Sequence, residues 1–315
     1  MEYRNLGASG LKVSLVGLGC NNFGQRMDGA RAQAVIHKAI DLGITLFDTA
    51  DVYGGRGGSE TVLGQYLGDR RKDIVLATKF GIAMDDTGRM RGGSRRYIMT
   101  ALEASLKRLR TDWIDLYQYH RDDLTTPVDE TLRALDDLVR QGKVRYVGCS
   151  NTPVWRMVDM QWTTRELGAN PMISCQLEYS LLWRGVEREF VPAMKAHGLG
   201  LLPYYPLACG LLAGNYQRGM PLRPDGRITK NAAHVERFLT PENFDIVEKL
   251  DAYARERGRT LLELSLSWLA SQPVVPSIIA GVSRPEQLAS NIDAVSWKLT
   301  PEELAQIDAI TASRV

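Results

Sequence analysis

Nowhere in its 315 residues does the chain carry a run of about 18 apolar residues, so no membrane-spanning helix is expected. It has little excess charge: 39 Lys plus Arg stand against 37 Asp plus Glu, a formal +2, and the basic residues are scattered. That argues against nucleic acid as a partner and makes any anion site local. Cysteine is scarce, and Cys20, Cys149, Cys175 and Cys209 lie far apart, with no CxxC pair and no histidines at ligand spacing. A disulfide scaffold and a metal site are therefore not expected. The opening MEYRNLGASGLKV lacks the basic cap and apolar stretch of a signal peptide, which points to a cytoplasmic protein. Also missing is a GxGxxG turn between a first strand and a helix; GLGCNNFG from Gly17 comes nearest and lacks that arrangement.

What is present has an α/β rhythm. Hydrophobic residues at 44% and charged residues at 24% are ordinary globular values, and the length suits two domains or one barrel of about 250 residues with additions. Short Val-, Ile- and Leu-rich runs begin at Val13, Ile44, Ile74, Ile114, Val144, Ile173, Leu199 and Pro276. Between them lie segments of helical period over 30–41, 59–67, 94–109, 128–140, 153–167 and 186–197. Further helices are expected at 242–257, 260–271 and 301–311, and the GASG turn predicts an N-terminal hairpin plugging one end. The expectation is a (β/α)8 TIM barrel forming one domain over 1–315, with extra C-terminal helices. Residues 207–240 break the rhythm with Gly, Pro and Arg, and read as a long functional loop.

A parallel barrel builds its active site at the C-terminal strand ends, and here those ends are polar. The second to seventh runs finish on Asp48, Lys79, His120, Ser150 with Asn151, Gln176 and Tyr204. Singly, each has a plain structural use: a cap, a rim cation, a satisfied imidazole. Together they describe one polar mouth, and a buried Asp48–Lys79 pair has a desolvation cost that structure alone seldom repays. Tyr53 follows Asp48 by five residues, before Gly54, Gly55, Gly57 and Gly58, in a turn able to return its phenol to that mouth. A phenol is a poor proton donor near neutrality unless a cation such as Lys79 assists it.

These residues resemble the aldo-keto reductase family: FDTADVYG holds Asp48 and Tyr53, ATKF holds Lys79, and DLYQYHRDD holds His120. RNLGASGLKVSLVGLG, SETVLGQYL, GKVRYVGCSN, YYPLACGLLAG and AGVSRPEQLASN extend the resemblance over essentially the whole chain. It implies NADPH-dependent reduction of an aldehyde or ketone to an alcohol. Tyr53 would be the proton donor, Lys79 would lower its pKa, His120 would orient the substrate carbonyl, and Asp48 would hold Lys79.

The resemblance also implies a cofactor set. Ser150, Asn151 and Gln176 would bond the nicotinamide carboxamide and Tyr204 would stack on its ring, with Cys20, Asn21 and Asp48 close by. Pro206, Leu207, Cys209 and Gly210 would follow the pyrophosphate. Gly281, Ser283, Arg284, Gln287 and Asn291 match the adenine and 2′-phosphate contacts at a helix start, and the Arg284 fork favours NADP over NAD. Candidate substrate walls are Asn22, Phe23, Gln25, Ile82, Arg121 and Tyr205. Ala280 stands where many members have Pro, and Tyr205 where many have Ser. The branch most similar includes voltage-gated potassium channel β subunits and bacterial reductases, so an NADP-binding regulatory subunit with weak reductase activity is the alternative. In the channel subunits Asn replaces the catalytic His, whereas here His120 remains. The resemblance leaves a homo-oligomer open.

Overall fold

A computed structural model describes residues 1–222, 224 and 226–315. Strands β1 (Tyr3–Asn5) and β2 (Lys12–Ser14) form the expected antiparallel hairpin. Eight parallel strands follow: β3 (Val16–Gly19), β4 (Leu46–Asp48), β5 (Val75–Phe80), β6 (Ile114–Tyr119), β7 (Val144–Ser150), β8 (Met172–Glu178), β9 (Gly200–Tyr204) and β10 (Ile278–Gly281). Each from β3 to β9 pairs with the next, and β10 pairs back onto β3. Between β9 and β10 the Leu201 N–H donates to the Val274 carbonyl at 2.8 Å, leaving a nearly closed barrel.

The barrel interior explains why the strand ends matter. Leu46, Ala77, Leu116, Ile173, Leu202 and Ile279 make one apolar layer, sealed from below by Leu6 and Val13 of the hairpin. Alternation along a strand places every second residue on the same face. Two positions beyond Leu46, Ala77, Leu116 and Leu202 therefore come Asp48, Lys79, Gln118 and Tyr204, a polar layer on top of an apolar one. The hairpin docks closely enough that Gly7, at φ +59, has no room for a Cβ, which would meet the Gly198 and Ile173 carbonyls at 2.5 Å.

Helix ends follow their side-chain chemistry. Asp28 and Ser94 accept from the Arg31 and Tyr97 amides to open the helices Gly29–Asp41 and Arg95–Leu109. Thr260 with Glu263 and Thr300 with Glu303 form capping boxes on Leu261–Ala270 and Pro301–Thr311. Gly168 and Gly198, in left-handed conformation, stop Val154–Leu167 and Phe190–His197.

Three expectations need correction. The run from Val13 is not one strand, because the Ser14 hydroxyl donates to the Val16 carbonyl and its amide turns to the Thr45 hydroxyl, so the hairpin strand ends before β3 begins. The helix expected at 186–197 is a short 3₁₀ turn, Gly185–Glu187, followed by Phe190–His197. Residues 207–240 are not a structureless loop: they contain the 3₁₀ turn Ala208–Ala213 and the helix Ala232–Phe238, capped by Asn231. Each is too short to show a period in sequence. No helix among the described residues is long and apolar enough to cross a membrane.

Candidate active site

Asp48 and Lys79 stand on neighbouring strands, and the Lys79 ammonium donates to Asp48 Oδ2 at 2.7 Å and to the Thr49 carbonyl at 2.9 Å. Lys79 is fully buried and Asp48 nearly so. Asp48 Oδ1 accepts from Gln176 Nε2 at 2.9 Å and Gln118 Nε2 at 3.2 Å, so the carboxylate is saturated on both oxygens. Gln118 was not singled out from sequence, although a glutamine two residues before His120 on an inward-facing period was the available signal.

The turn after β4 returns Tyr53 over this pair. Gly54 makes the turn at φ +70, where a Cβ would strike the Phe23 carbonyl and the Ser59 amide at 2.5 Å. The Tyr53 hydroxyl then lies 3.4 Å from Lys79 Nζ, and the His120 ring meets the Tyr53 ring edge-on at 5.6 Å. On the far side of His120, Asn151 Nδ2 donates to the His120 carbonyl and the Tyr204 hydroxyl donates to Asn151 Oδ1 at 2.9 Å. Ser150 Oγ donates to the Gln176 carbonyl at 2.9 Å.

In the electrostatics the expected lowering of the Tyr53 phenol by Lys79 is present but is outweighed by burial. Burial drives the Lys79 ammonium down, but Asp48 and the Tyr53 phenol outweigh it and hold the pKa above that of an ordinary lysine. The Tyr53 phenol is not lowered on balance. Burial raises it, Lys79 opposes, and Asp48 adds to the rise. Lys79 sits closer to Asp48 than to the phenol, so most of its charge is offset there, and the phenol keeps its proton through neutral pH. Burial, then the charges of Lys79 and Arg121, push His120 down to about 2. Its imidazole is neutral and has one N–H to give, and Nδ1 is buried without a partner.

That neutral histidine predicts a stability effect. The unfolded chain takes up a proton on His120 as pH falls below about 6.5, while the folded protein does not until about 2. The contribution is whole above 6.5 and is lost at about 1.4 kcal/mol per pH unit as pH falls through that window. Relative to the parent, His120→Asn should therefore gain about 2 kcal/mol between pH 7 and pH 5. Urea unfolding of both proteins at the two pH values checks it; a gap that does not change with pH rejects the buried neutral imidazole.

Asp48, Tyr53 and His120 open into a cleft of about 890 Å³, with Lys79 beneath its floor. All the strand-end and loop residues named above for cofactor contact line that cleft, from Cys20 and Asn21 to Gln287 and Asn291. Gln287 Oε1 accepts from the Ser283 and Arg284 amides at the entry to the helix Glu286–Ala294. Of the candidate substrate walls, Asn22 and Tyr205 line the cleft; Phe23 is buried in the hydrophobic core, and Gln25, Ile82 and Arg121 lie outside the lining. Arg26, Arg31, Arg227 and Lys230, which sequence reading passed over, join Arg284 along it. Against these cations the lining has one carboxylate, Asp48, already paired. Such a donor set suits a long polyanionic ligand. Among the described residues no cluster of His, Cys, Asp and Glu forms a metal site.

A sequence model of the aldo/keto reductase family matches residues 15–312. The chain is 36% identical over 328 residues to a probable voltage-gated potassium channel subunit beta of rice, covering 100% of this chain and 98% of that one. It is 36% identical over 320 residues to L-glyceraldehyde 3-phosphate reductase of Escherichia coli K12, covering 98% of this chain and 92% of the enzyme. It is 37% identical over 320 residues to an uncharacterized oxidoreductase of Bacillus subtilis, covering 98% and 96%.

Proposed function

The chain belongs to the aldo/keto reductase family, and on that premise we propose that it reduces an aldehyde or ketone to an alcohol with NADPH. The observation that carries this reading is the fully buried Lys79 ammonium placed between the Asp48 carboxylate and the Tyr53 phenol, with a neutral His120 facing the same phenol. When bound, the nicotinamide supplies the hydride that reduces the carbonyl carbon. Tyr53 donates its proton to the carbonyl oxygen, and the Lys79 charge stabilises the phenolate that results. His120 donates its single N–H to the same oxygen and fixes the carbonyl's direction. Asp48 orients Lys79 and is itself held by the two glutamine amides.

The cleft residues fit the dinucleotide by their chemistry. Ser150, Asn151 and Gln176 present amide and hydroxyl groups for the carboxamide, and Tyr204 offers a ring face. The backbone around Cys209 and Gly210, together with Arg227, suits the pyrophosphate. Arg284 and Ser283 suit the 2′-phosphate at the start of the helix Glu286–Ala294. Arg284 is exposed, so losing it should cost about 1.5 kcal/mol, roughly tenfold in NADPH affinity, with little change for NADH. Fluorescence titration of Arg284→Ala with both dinucleotides measures this, and an unaltered preference removes the assignment.

The reading as a whole is tested by following NADPH absorbance with a panel of aldehydes and ketones, including L-glyceraldehyde 3-phosphate, the substrate in the name of the Escherichia coli relative. Carbonyl-dependent oxidation of NADPH is expected. Tight NADPH binding with no turnover on any member supports instead a regulatory subunit of the kind the rice relative's name describes.

A further inference from the structure

Tyr205 follows Tyr204 at the end of β9 and takes φ +51. For a bulky side chain that is an outlier, kept only where its surroundings enforce it. Here the ring lies edge-on to Tyr204 at 5.3 Å, to His234 at 6.0 Å and to Phe238 at 6.1 Å. The Arg227 guanidinium lies 5.2 Å from its centroid. These contacts come from the strand end, the helix Ala232–Phe238 and the segment before it, and they hold the ring at the cleft that Tyr53 and His120 also line.

The hydroxyl is in a different situation. Among the described residues it has no hydrogen-bond partner, while its residue shares the cleft with Tyr53. Asn22, Asn151, His120 and Arg227 line the same cleft, while of the candidate substrate walls the apolar Phe23 and Ile82 are not among its lining. A strained aromatic, braced on several sides at the cleft that the candidate acid also lines and with its hydroxyl unbonded, is poorly explained by packing alone.

We propose that Tyr205 sets the substrate range of this site, its ring excluding bulky carbonyls and its hydroxyl bonding a hydroxyl or acidic group next to the carbonyl of a short hydrophilic aldehyde. The inference rests on the reductase reading above and narrows it to a substrate class. The two halves are separable. Glycine adopts the left-handed conformation without strain, so Tyr205→Gly removes the ring and leaves the backbone in place. Tyr205→Phe keeps the ring and removes only the donor.

The experiment measures kcat/KM for glyceraldehyde, propanal and benzaldehyde at saturating NADPH, with ratios taken within each protein so that changes in cofactor affinity cancel. In Tyr205→Gly the benzaldehyde to glyceraldehyde ratio should rise about tenfold or more; in Tyr205→Phe the glyceraldehyde to propanal ratio should fall about tenfold while benzaldehyde to propanal holds. Either expected change failing to appear overturns the proposal. Thermal melting and NADPH titration confirm that each variant is folded, and Tyr205→Phe, with its packing intact, stands if the glycine variant does not. A parent that oxidises NADPH with none of the three aldehydes, nor with the wider panel, defeats the reductase reading itself. That result is distinct from an active parent whose ratios do not move.

Discussion

Tyr53→Phe should bind NADPH as the parent does and lose carbonyl turnover by a factor of about 10² to 10⁴. The substitution takes away one oxygen. The ring still packs edge-on to His120, and Lys79 Nζ still lies 4.9 Å from its centroid, an interaction a phenylalanine face also provides. The bond lost is a long one, 3.4 Å to Lys79, so stability should change little. What disappears is the proton that the carbonyl oxygen must receive. NADPH absorbance under single-turnover conditions, with a fluorescence titration beside it, reads both quantities. Turnover within threefold of the parent would falsify Tyr53 as the donor.

Lys79→Met should abolish turnover to a similar degree and also destabilise the fold by about 3 to 5 kcal/mol. The ammonium is wholly enclosed, and without it the Asp48 carboxylate keeps two glutamine donors but no counter-charge. The cost is that of an uncompensated buried ion rather than of lost packing, since Met fills nearly the same volume. Adding Asp48→Asn removes the stranded charge. The double variant should therefore recover much of the stability and none of the turnover. Urea midpoints of the parent, the single and the double variant decide it; a Lys79→Met protein as stable as the parent would show that the pair is not energetically buried.

The barrel was legible because its strands are covered on both faces and so read as short, mainly apolar runs, as at Val75–Phe80 and Ile114–Tyr119, while polar residues at or next to the strand ends stood out. Asp48, Lys79 and His120 were found that way. Tyr53 needed the motif, because nothing in a glycine-rich loop announces where its side chain returns. Gln118 was missed because it lies inside its strand rather than at the end, where only its two-residue spacing from His120 marks it as inward-facing. Arg26, Arg227 and Lys230 lie in irregular segments where no period exists to place them, and Arg31 lies in the first turn of the helix Gly29–Asp41, where only the docking of that helix brings it to the cleft. The net direction of the Tyr53 shift was not legible for a different reason: Lys79 does lower the phenol, but the desolvation that accompanies burial is larger, and only the folded geometry shows that.

The hairpin and the β3 strand acquire another meaning when the chain is considered as it leaves a ribosome. The amide of Ala8 waits for the Gly198 carbonyl, Arg4 Nη1 for the Val275 carbonyl, and β3 for its second neighbour, β10. At ordinary elongation rates of about 5 to 20 residues per second, β3 is exposed on that edge for roughly 15 to 50 seconds before Ile278–Gly281 is made. Seven of the eight barrel strands, β3 to β9, can be assembled in that time with one edge still open, a template for pairing with a neighbouring nascent chain. The short length of β3, four residues including two glycines, limits how well a stranger can pair there, so the same brevity that lets the last strand close the ring protects the first one while it waits.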